Sequence, residues 1–346
     1  VAELDLQALV TKWEAAQYQR HGPAFGGDFL FGDAIDPTPI WGSGECILWA
    51  EGEGLMIYGP QGRGKSTLAQ QLVNARHGFG LPELLGLPVK QDERPTLYLA
   101  MDRPRQVKKS WRRMVERDKD WEALNERVVV WQGPLPAELP LTWEHPGALA
   151  AWAHEEFGAG LIVVDSYKDL MPKLSDDETG NTVNRIMQQT LAVGIDWLGL
   201  HHPRKSQAQN KKPDTLDDVY GSTWLTSGLG SVVGLWSKEA GDELVEFSHL
   251  KQPAEVVSIP VVQHDKPTGR MTVLDVKGMP TGRDAKSGHE LKLLTELTDG
   301  RRITKADAEA ILGVKERTAR EVLQALVARG ALDEAGTTSD KTWGLV

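Results

Sequence analysis

A single cysteine, Cys46, occurs in 346 residues. One thiol excludes an intramolecular disulfide and fits a reducing compartment. It also removes most zinc sites, which need several cysteines or spaced Cys/His pairs. No uninterrupted apolar run approaches ~18 residues, so no bilayer span is expected. The opening residues, VAELDLQALV, lack the basic segment and apolar core of a secretory signal. Together these absences point to a cytoplasmic protein without membrane contact. Internal repeats and low-complexity tracts are also missing. Net positive charge is lacking too: 39 Lys/Arg against 49 Asp/Glu gives −10 at pH 7. That argues against a chain coated in nucleic acid. The deficit is uneven, however. Ten of the Lys/Arg and ten of the Asp/Glu fall in residues 285–346, so that segment is neutral and the residues before it carry the −10. A protein that threads a polyanion through a local channel can be acidic elsewhere.

What is present is ordinary in bulk: 40% apolar and 25% charged residues, enough for one large domain and a small one. Twelve tryptophans stand out. Trp49, Trp131, Trp152, Trp197 and Trp236 sit in apolar runs, so core packing is their expected role.

The spacing of Leu4, Leu6, Leu9, Val10 and Trp13 predicts a helix over 4–20. The Gly/Pro-rich stretch 22–44 then reads as a linker or extended arm. From residue 47, strands and helices alternate. Strands are expected at 47–50, 55–58, 96–101, 127–131, 161–165 and 194–202. Helices are expected at 66–76, near 104–117 (a basic one), at 147–157 and at 181–192. This alternation implies an α/β fold with a mostly parallel sheet covered by helices. Strand-like runs at 231–236, 243–251, 255–263 and 271–276 suggest an antiparallel extension. A polar break at 278–288 separates a tail. The expected divisions are 1–40 (helix and arm), 41–278 (main domain), 279–288 (linker) and 289–346 (small domain).

Gly59–Thr67, GPQGRGKST, lies between an expected strand and an expected helix. It fits G-x-x-x-x-G-K-[ST] at every fixed position. The glycines let backbone N–H groups turn inward around phosphate oxygens, and the helix start aims its dipole at the same anion. Gly59, Pro60, Gln61, Gly62, Arg63, Gly64, Lys65, Ser66 and Thr67 are therefore the candidate nucleotide-binding residues. Lys65 would reach the β/γ-phosphates, and Ser66 would offer its hydroxyl to Mg²⁺. A chance glycine turn is the competing reading. The run LIVVDS (161–166) ends a buried strand in Asp165, a candidate magnesium residue; a helix cap is the alternative. YLAMDRP (98–104) places Asp102 at another strand end, where ligands of open sheets gather. Asp102 could orient or deprotonate the attacking water, or cap the basic helix. His201 and His202 end one more strand on the same rim. Adjacent strand residues point to opposite faces, so one histidine can face a phosphate while the other packs away. That opposition is poor for chelating one ion.

The set Gly59–Thr67, YLAMD (98–102), VVDS (163–166), LHHPRK (200–205) and YGST (220–223) resembles the RecA-like ATPases of the RepA-type hexameric replicative helicases, over roughly residues 40–275. The resemblance implies a RecA-like fold, a ring (usually a hexamer), ATP with Mg²⁺ between subunits, and single-stranded DNA in the channel. It makes Asp102 the match to a catalytic glutamate, one methylene shorter, and His202 the γ-phosphate sensor. It makes 203–219 the DNA loop, carrying Arg204, Lys205, Lys211 and Lys212, with a solvated surface loop as the alternative. Lys251 in HLKQP (249–253) matches a basic finger reaching a neighbour's ATP site. Related helicases often carry an arginine two positions on, where this chain has Pro253.

The tail reads separately. Residues 303–332 give two helices joined by a Gly turn, with Val322, Leu323, Leu326 and Val327 on a core face, and 337–346 reads as a short strand pair. This resembles a winged-helix domain. Lys315, Arg317, Thr318 and Arg320 would then begin a recognition helix for DNA, or the domain would dock replication proteins. The leading expectation is an ATP-driven DNA motor of a plasmid, phage or integrated element. The rival is a nucleotide-switched DNA-binding or scaffold ATPase without unwinding.

Overall fold

The computed structural model describes residues 25–32, 36–203, 215–257, 261–273, 301–328, 331–337 and 341–345. It also describes residues 6, 8–11, 13, 212, 259, 293–294 and 297. The chain divides into two compact units: residues 1–257 with 264–272, and residues 258–263 with 273–346.

The first unit opens with the described part of the N-terminal helix, where Leu6 and Val10 join the main core. The stretch expected to be a linker is more structured than that. It contains a short helix, Gly26–Phe31, and strand β1, Pro39–Ser43. β1 pairs antiparallel with β2, Cys46–Ala50, in a sheet of their own. So 47–50 is a strand but does not belong to the parallel sheet. Residues 44–45 turn the chain straight back, with Gly44 at φ +55°. The hairpin buries Ile40, Trp41, Ile47 and Trp49.

The large sheet is built from β3 (Gly54–Tyr58), β4 (Thr96–Ala100), β5 (Val128–Gln132), β6 (Leu161–Asp165), β7 (Asp196–His201), β8 (Leu229–Trp236), β9 (Leu244–Lys251), β10 (Val261–His264) and β11 (Met271–Val273). Its nine strands run in the order β11-β10-β9-β8-β3-β7-β6-β4-β5. From β8 to β5 every pairing is parallel. β9 returns antiparallel to β8 and begins the extension. Strands β3, β4 and β7 are buried at every position, as strands covered on both faces should be. The chain therefore has the expected α/β fold: a mostly parallel sheet flanked by helices, consistent with a RecA-like architecture.

Helices α1 (Lys65–Arg76), α2 (Pro104–Trp111), α3 (Arg117–Arg127), α4 (Ala148–Phe157) and α5 (Asp177–Ala192) cover it. The basic helix expected over 104–117 stops at Trp111, and α3 was not anticipated. Glu116 is extended, and its N–H donates to the Asp120 carboxylate at 2.7 Å. That side-chain bond starts a second helix rather than continuing the first. Among the described residues, the strand expected over 255–263 is Val261–His264.

In the second unit, β12 (Ile303–Thr304), β13 (Leu332–Ala335) and β14 (Thr342–Leu345) form an antiparallel sheet in the order β12-β14-β13. Helices α6 (Lys305–Leu312) and α7 (Glu316–Ala328) pack on it through Leu312, Ala319, Val322, Leu323 and Leu326. Thr304 caps α6 by accepting from the Asp307 N–H, and Gly313 at φ +67° ends it. The strand pair expected within 337–346 is instead Leu332–Ala335 with Thr342–Leu345, because the turn falls between them.

Candidate active site

The carboxyl ends of β3, β4, β6 and β7 converge on one cleft of ≈ 290 Å³. Gly59 leaves β3 at φ +155°, and a Cβ there would lie 2.2 Å from the Leu235 carbonyl oxygen. No other residue fits. Gly62 and Gly64 are also left-handed, at φ +75° and +87°. Arg63 anchors the loop by donating to the Ser237 and Lys238 carbonyls at 3.0 and 3.2 Å. A glycine-rich curl ending at the start of α1 is the geometry that gathers N–H groups around a phosphate.

Lys65 is buried, and its ammonium donates to the carbonyls of Gly59 and Pro60 at 2.7 and 2.9 Å. Burial pulls its pKa down to about 8, and neighbouring Arg63 and Lys168 push the same way against Asp165. An anion held in the loop would supply the countercharge that keeps Lys65 protonated.

Asp165 ends β6. Its Oδ2 accepts from Ser66 Oγ at 2.9 Å and from Tyr98 Oη at 2.8 Å. Burial raises its pKa, while those two hydrogen bonds and Lys65 oppose the shift. The helix N-cap that follows is Ser166, not Asp165, and Ser166 is satisfied by Asp169. Among the described residues no group of three His, Cys, Asp or Glu could hold a metal. One carboxylate beside one hydroxyl nevertheless fits magnesium, which keeps waters and takes its remaining ligands from nucleotide phosphates. Ser66 and Asp165 are the residues that would hold it.

Asp102 lies at the exposed rim of the cleft. It does not cap α2, whose N-cap is Arg103. Its carboxylate meets Lys168 Nζ at 3.0 Å and Arg103 Nε at 3.5 Å. Lys168 also stands 3.7 Å from Asp169.

The two histidines part as strand alternation requires. His201 is fully buried, pairs through Nε2 with the Tyr220 carbonyl at 2.6 Å, and meets the Tyr167 ring edge-on. His202 lines the cleft. Burial and nearby Lys65 lower its pKa to about 4, so the ring is neutral at pH 7. A neutral imidazole has one N–H to donate.

Lys251 is not in this cleft. Its ammonium donates to the Thr226 and Ser227 carbonyls at 3.0 and 2.8 Å, ahead of β8. That is the amino-end rim of the parallel strands, opposite the phosphate cleft. Lys212 pairs with Glu246 at 2.7 Å. Arg204, Lys205 and Lys211 lie outside the described residues. Around them, Pro203 bridges to Val219, and the Tyr220 N–H donates to the His202 carbonyl at 3.1 Å. In the second unit, Lys315, Arg317 and Arg320 are exposed and Thr318 half-buried at the start of α7. Arg317 pairs with Glu321 at 2.9 Å.

Sequence reasoning missed Tyr98, Arg103, Gln106, Ser110 and Lys168. Each reaches the cleft or Asp165 across a strand or helix boundary.

A family model described as an AAA domain matches residues 35–208. The chain belongs to this AAA-domain family. The match spans the glycine loop, Asp102, Asp165 and both histidines, and it makes the coarse reading plain: a P-loop domain that binds nucleotide, typically with Mg²⁺, and acts as an ATPase. No curated protein matches the chain. Among the described residues no helix is long and apolar enough to cross a membrane.

Proposed function

We propose that the chain is an ATP-driven, ring-forming DNA motor of the RepA-type helicase kind. Residues 41–278 would form the motor domain and 289–346 an appended winged helix. One observation carries this reading: His202 lies in the phosphate cleft, and its backbone closes the loop 203–219 through Tyr220. On this reading the γ-phosphate sensor and both ends of the DNA loop form one small cluster.

The division of labour follows from the geometry. The loop Gly59–Gly64 and the start of α1 hold the phosphates, and Lys65 balances their charge. A bound magnesium ion would neutralise the β/γ oxygens, with Ser66 and Asp165 holding it. Asp102 positions water on the open side. Lys251 lies away from its own cleft; as a basic finger it would act on a neighbouring subunit's nucleotide. DNA would meet Arg204, Lys205, Lys211 and Lys212 in the channel. Lys315, Arg317, Thr318 and Arg320 would contact DNA or a replication protein.

A second reading has its own observation. Asp102 is shorter than glutamate and already engaged by Lys168 and Arg103, which suits a slowly hydrolysing, nucleotide-switched DNA-binding or scaffold ATPase. Strand displacement from a forked duplex in ATP separates the two. Unwinding that tracks ATP turnover supports the motor. Turnover and DNA binding without displacement supports the switch.

A further inference from the structure

Helix α2 carries more positive charge than the cleft uses. Arg105, Lys108, Lys109 and Arg112 recur at i, i+3, i+4 and i+7, which places them on one stripe. All four are exposed, and they line an open groove together with Arg113. The segment 103–115, RPRQVKKSWRRMV, contains no acidic residue. Among the described residues none of the four forms an ion pair. Arg103 pairs with Asp102, and Arg113 donates to the Ser110 and Lys266 carbonyls, so those two are already engaged. In a chain of net charge −10 such a stripe is a local reversal of field.

We propose that this stripe binds the phosphodiester backbone of a nucleic acid strand, independently of sequence and apart from the loop 203–219. The alternative occupant is an acidic protein surface. A protein interface core is depleted in lysine and anchored by apolar side chains. Here the apolar residues of α2, Val107 and Trp111, are buried on the opposite face. Cations alone remain, and a phosphate backbone needs nothing else.

The helix is well placed to transmit that contact. Its inner side lends Arg103, Gln106 and Ser110 to the nucleotide cleft. It is tied to α1 by Gln70 donating to the Val107 carbonyl at 3.2 Å and by Trp111 Nε1 donating to Asn74 at 2.7 Å. Trp111 packs 5.1 Å from Tyr98, whose hydroxyl holds Asp165. A strand on the outer stripe would therefore sit one helix diameter from the phosphate site.

The inference rests on the nucleic-acid part of the proposed function and not on the ATPase part. The test is fluorescence anisotropy of a labelled oligothymidine, and separately of a duplex, against salt concentration. The parent is compared with R105E/K108E/K109E/R112E and with the milder K108Q/K109Q, folding being checked by thermal melting. The expected loss is at least about tenfold in affinity at low salt for the fourfold variant and a smaller loss for the double. Each single-strand phosphate contact contributes about 0.7 to the slope of log K against log salt, so four lost contacts lower it by about 3. Binding of a non-hydrolysable ATP analogue stays within about twofold, because these side chains lie outside the cleft. The arm with the larger slope change identifies the strand form. Unchanged affinity and slope in both variants overturn the proposal. If the particle mass in nucleotide then falls, the stripe is a subunit contact instead. A parent that hydrolyses ATP yet binds no strand overturns this inference and leaves the ATPase reading intact. A stripe-dependent slope without DNA-stimulated turnover supports this inference and removes the motor.

Discussion

Helix α1 has a buried cation at each end, and the two ends are built on opposite principles. At its carboxyl end, Arg76 meets Asp92 at 2.9 Å and Asp196 at 2.7 Å, and Arg94 closes on Asp92 at 2.6 Å. The helix dipole favours a cation there. At its amino end, Lys65 is equally enclosed but bonds only neutral carbonyls, and the dipole disfavours it. The same helix is thus neutralised where it supports the fold and left in need of an anion where it works. A stability penalty at Lys65 is the cost of a site ready for phosphate.

Exchanging the two cations for neutral residues should expose this contrast. Lys65→Ala should abolish ATP turnover and weaken nucleotide binding while leaving the melting temperature equal to or above the parent's. Arg76→Ala should do the reverse, costing about 3–5 kcal/mol because Asp92 and Asp196 lose their buried partner. Calorimetry with an ATPase assay on both variants checks this. If Lys65→Ala melts well below the parent, Lys65 is a structural cation like Arg76.

Next in size is Asp102→Asn. It should keep ATP-analogue binding and lower kcat by about 10²–10⁴, the range of a lost general base. Lys168→Ala sharpens the point, since it frees the Asp102 carboxylate from one of its two cations and should change kcat without abolishing turnover. An Asp102→Asn protein with the parent's kcat removes Asp102 from the chemistry.

A smaller effect separates the two ends by pH. Lys65 has a folded pKa of about 8 against an ordinary 10.5, so the unfolded chain holds the extra proton between those values. Its penalty is fully present below pH 8 and is relieved as pH rises towards 10.5. Over the same window nucleotide affinity should fall, because the deprotonated lysine no longer balances phosphate charge. Comparing parent and Lys65→Met by pH-dependent melting isolates the effect of this lysine. On the acid side, His201, His202 and His249 are lowered from 6.5 to about 4 by burial, so their neutral forms support the fold above pH 6.5, and that support is lost as pH falls towards 4.

The site residues legible in the sequence are those whose role follows from position along one strand. Gly59–Thr67 is a fixed spacing between strand and helix, and Asp102, Asp165 and His202 each end a buried strand. A parallel sheet necessarily brings such ends together. Tyr98 and Lys168 were not legible, because their contacts with Asp165 and Asp102 are set by the register between β4 and β6. Lys251 was legible as a basic strand end, but not its rim: that depends on β9 running antiparallel to β8. Strand β1 was hidden by its glycines and prolines, which read as linker until the hairpin with β2 buries Trp41. In the second unit the apolar spacing of α7 sufficed for the helix pair, while the hairpin register depended on where the turn falls.

The central claim is that one cleft reads the γ-phosphate and passes that state to the loop beginning at Pro203. The direct test is steady-state ATP hydrolysis with and without single-stranded DNA, by the parent and by His202→Ala. The parent should be stimulated by DNA. His202→Ala should bind ATP within about a hundredfold of the parent, since one hydrogen bond to a charged group is worth about 1.5–3 kcal/mol at most. It should keep basal hydrolysis and lose the stimulation. Full DNA stimulation in His202→Ala, or its loss in His201→Ala instead, would contradict the account.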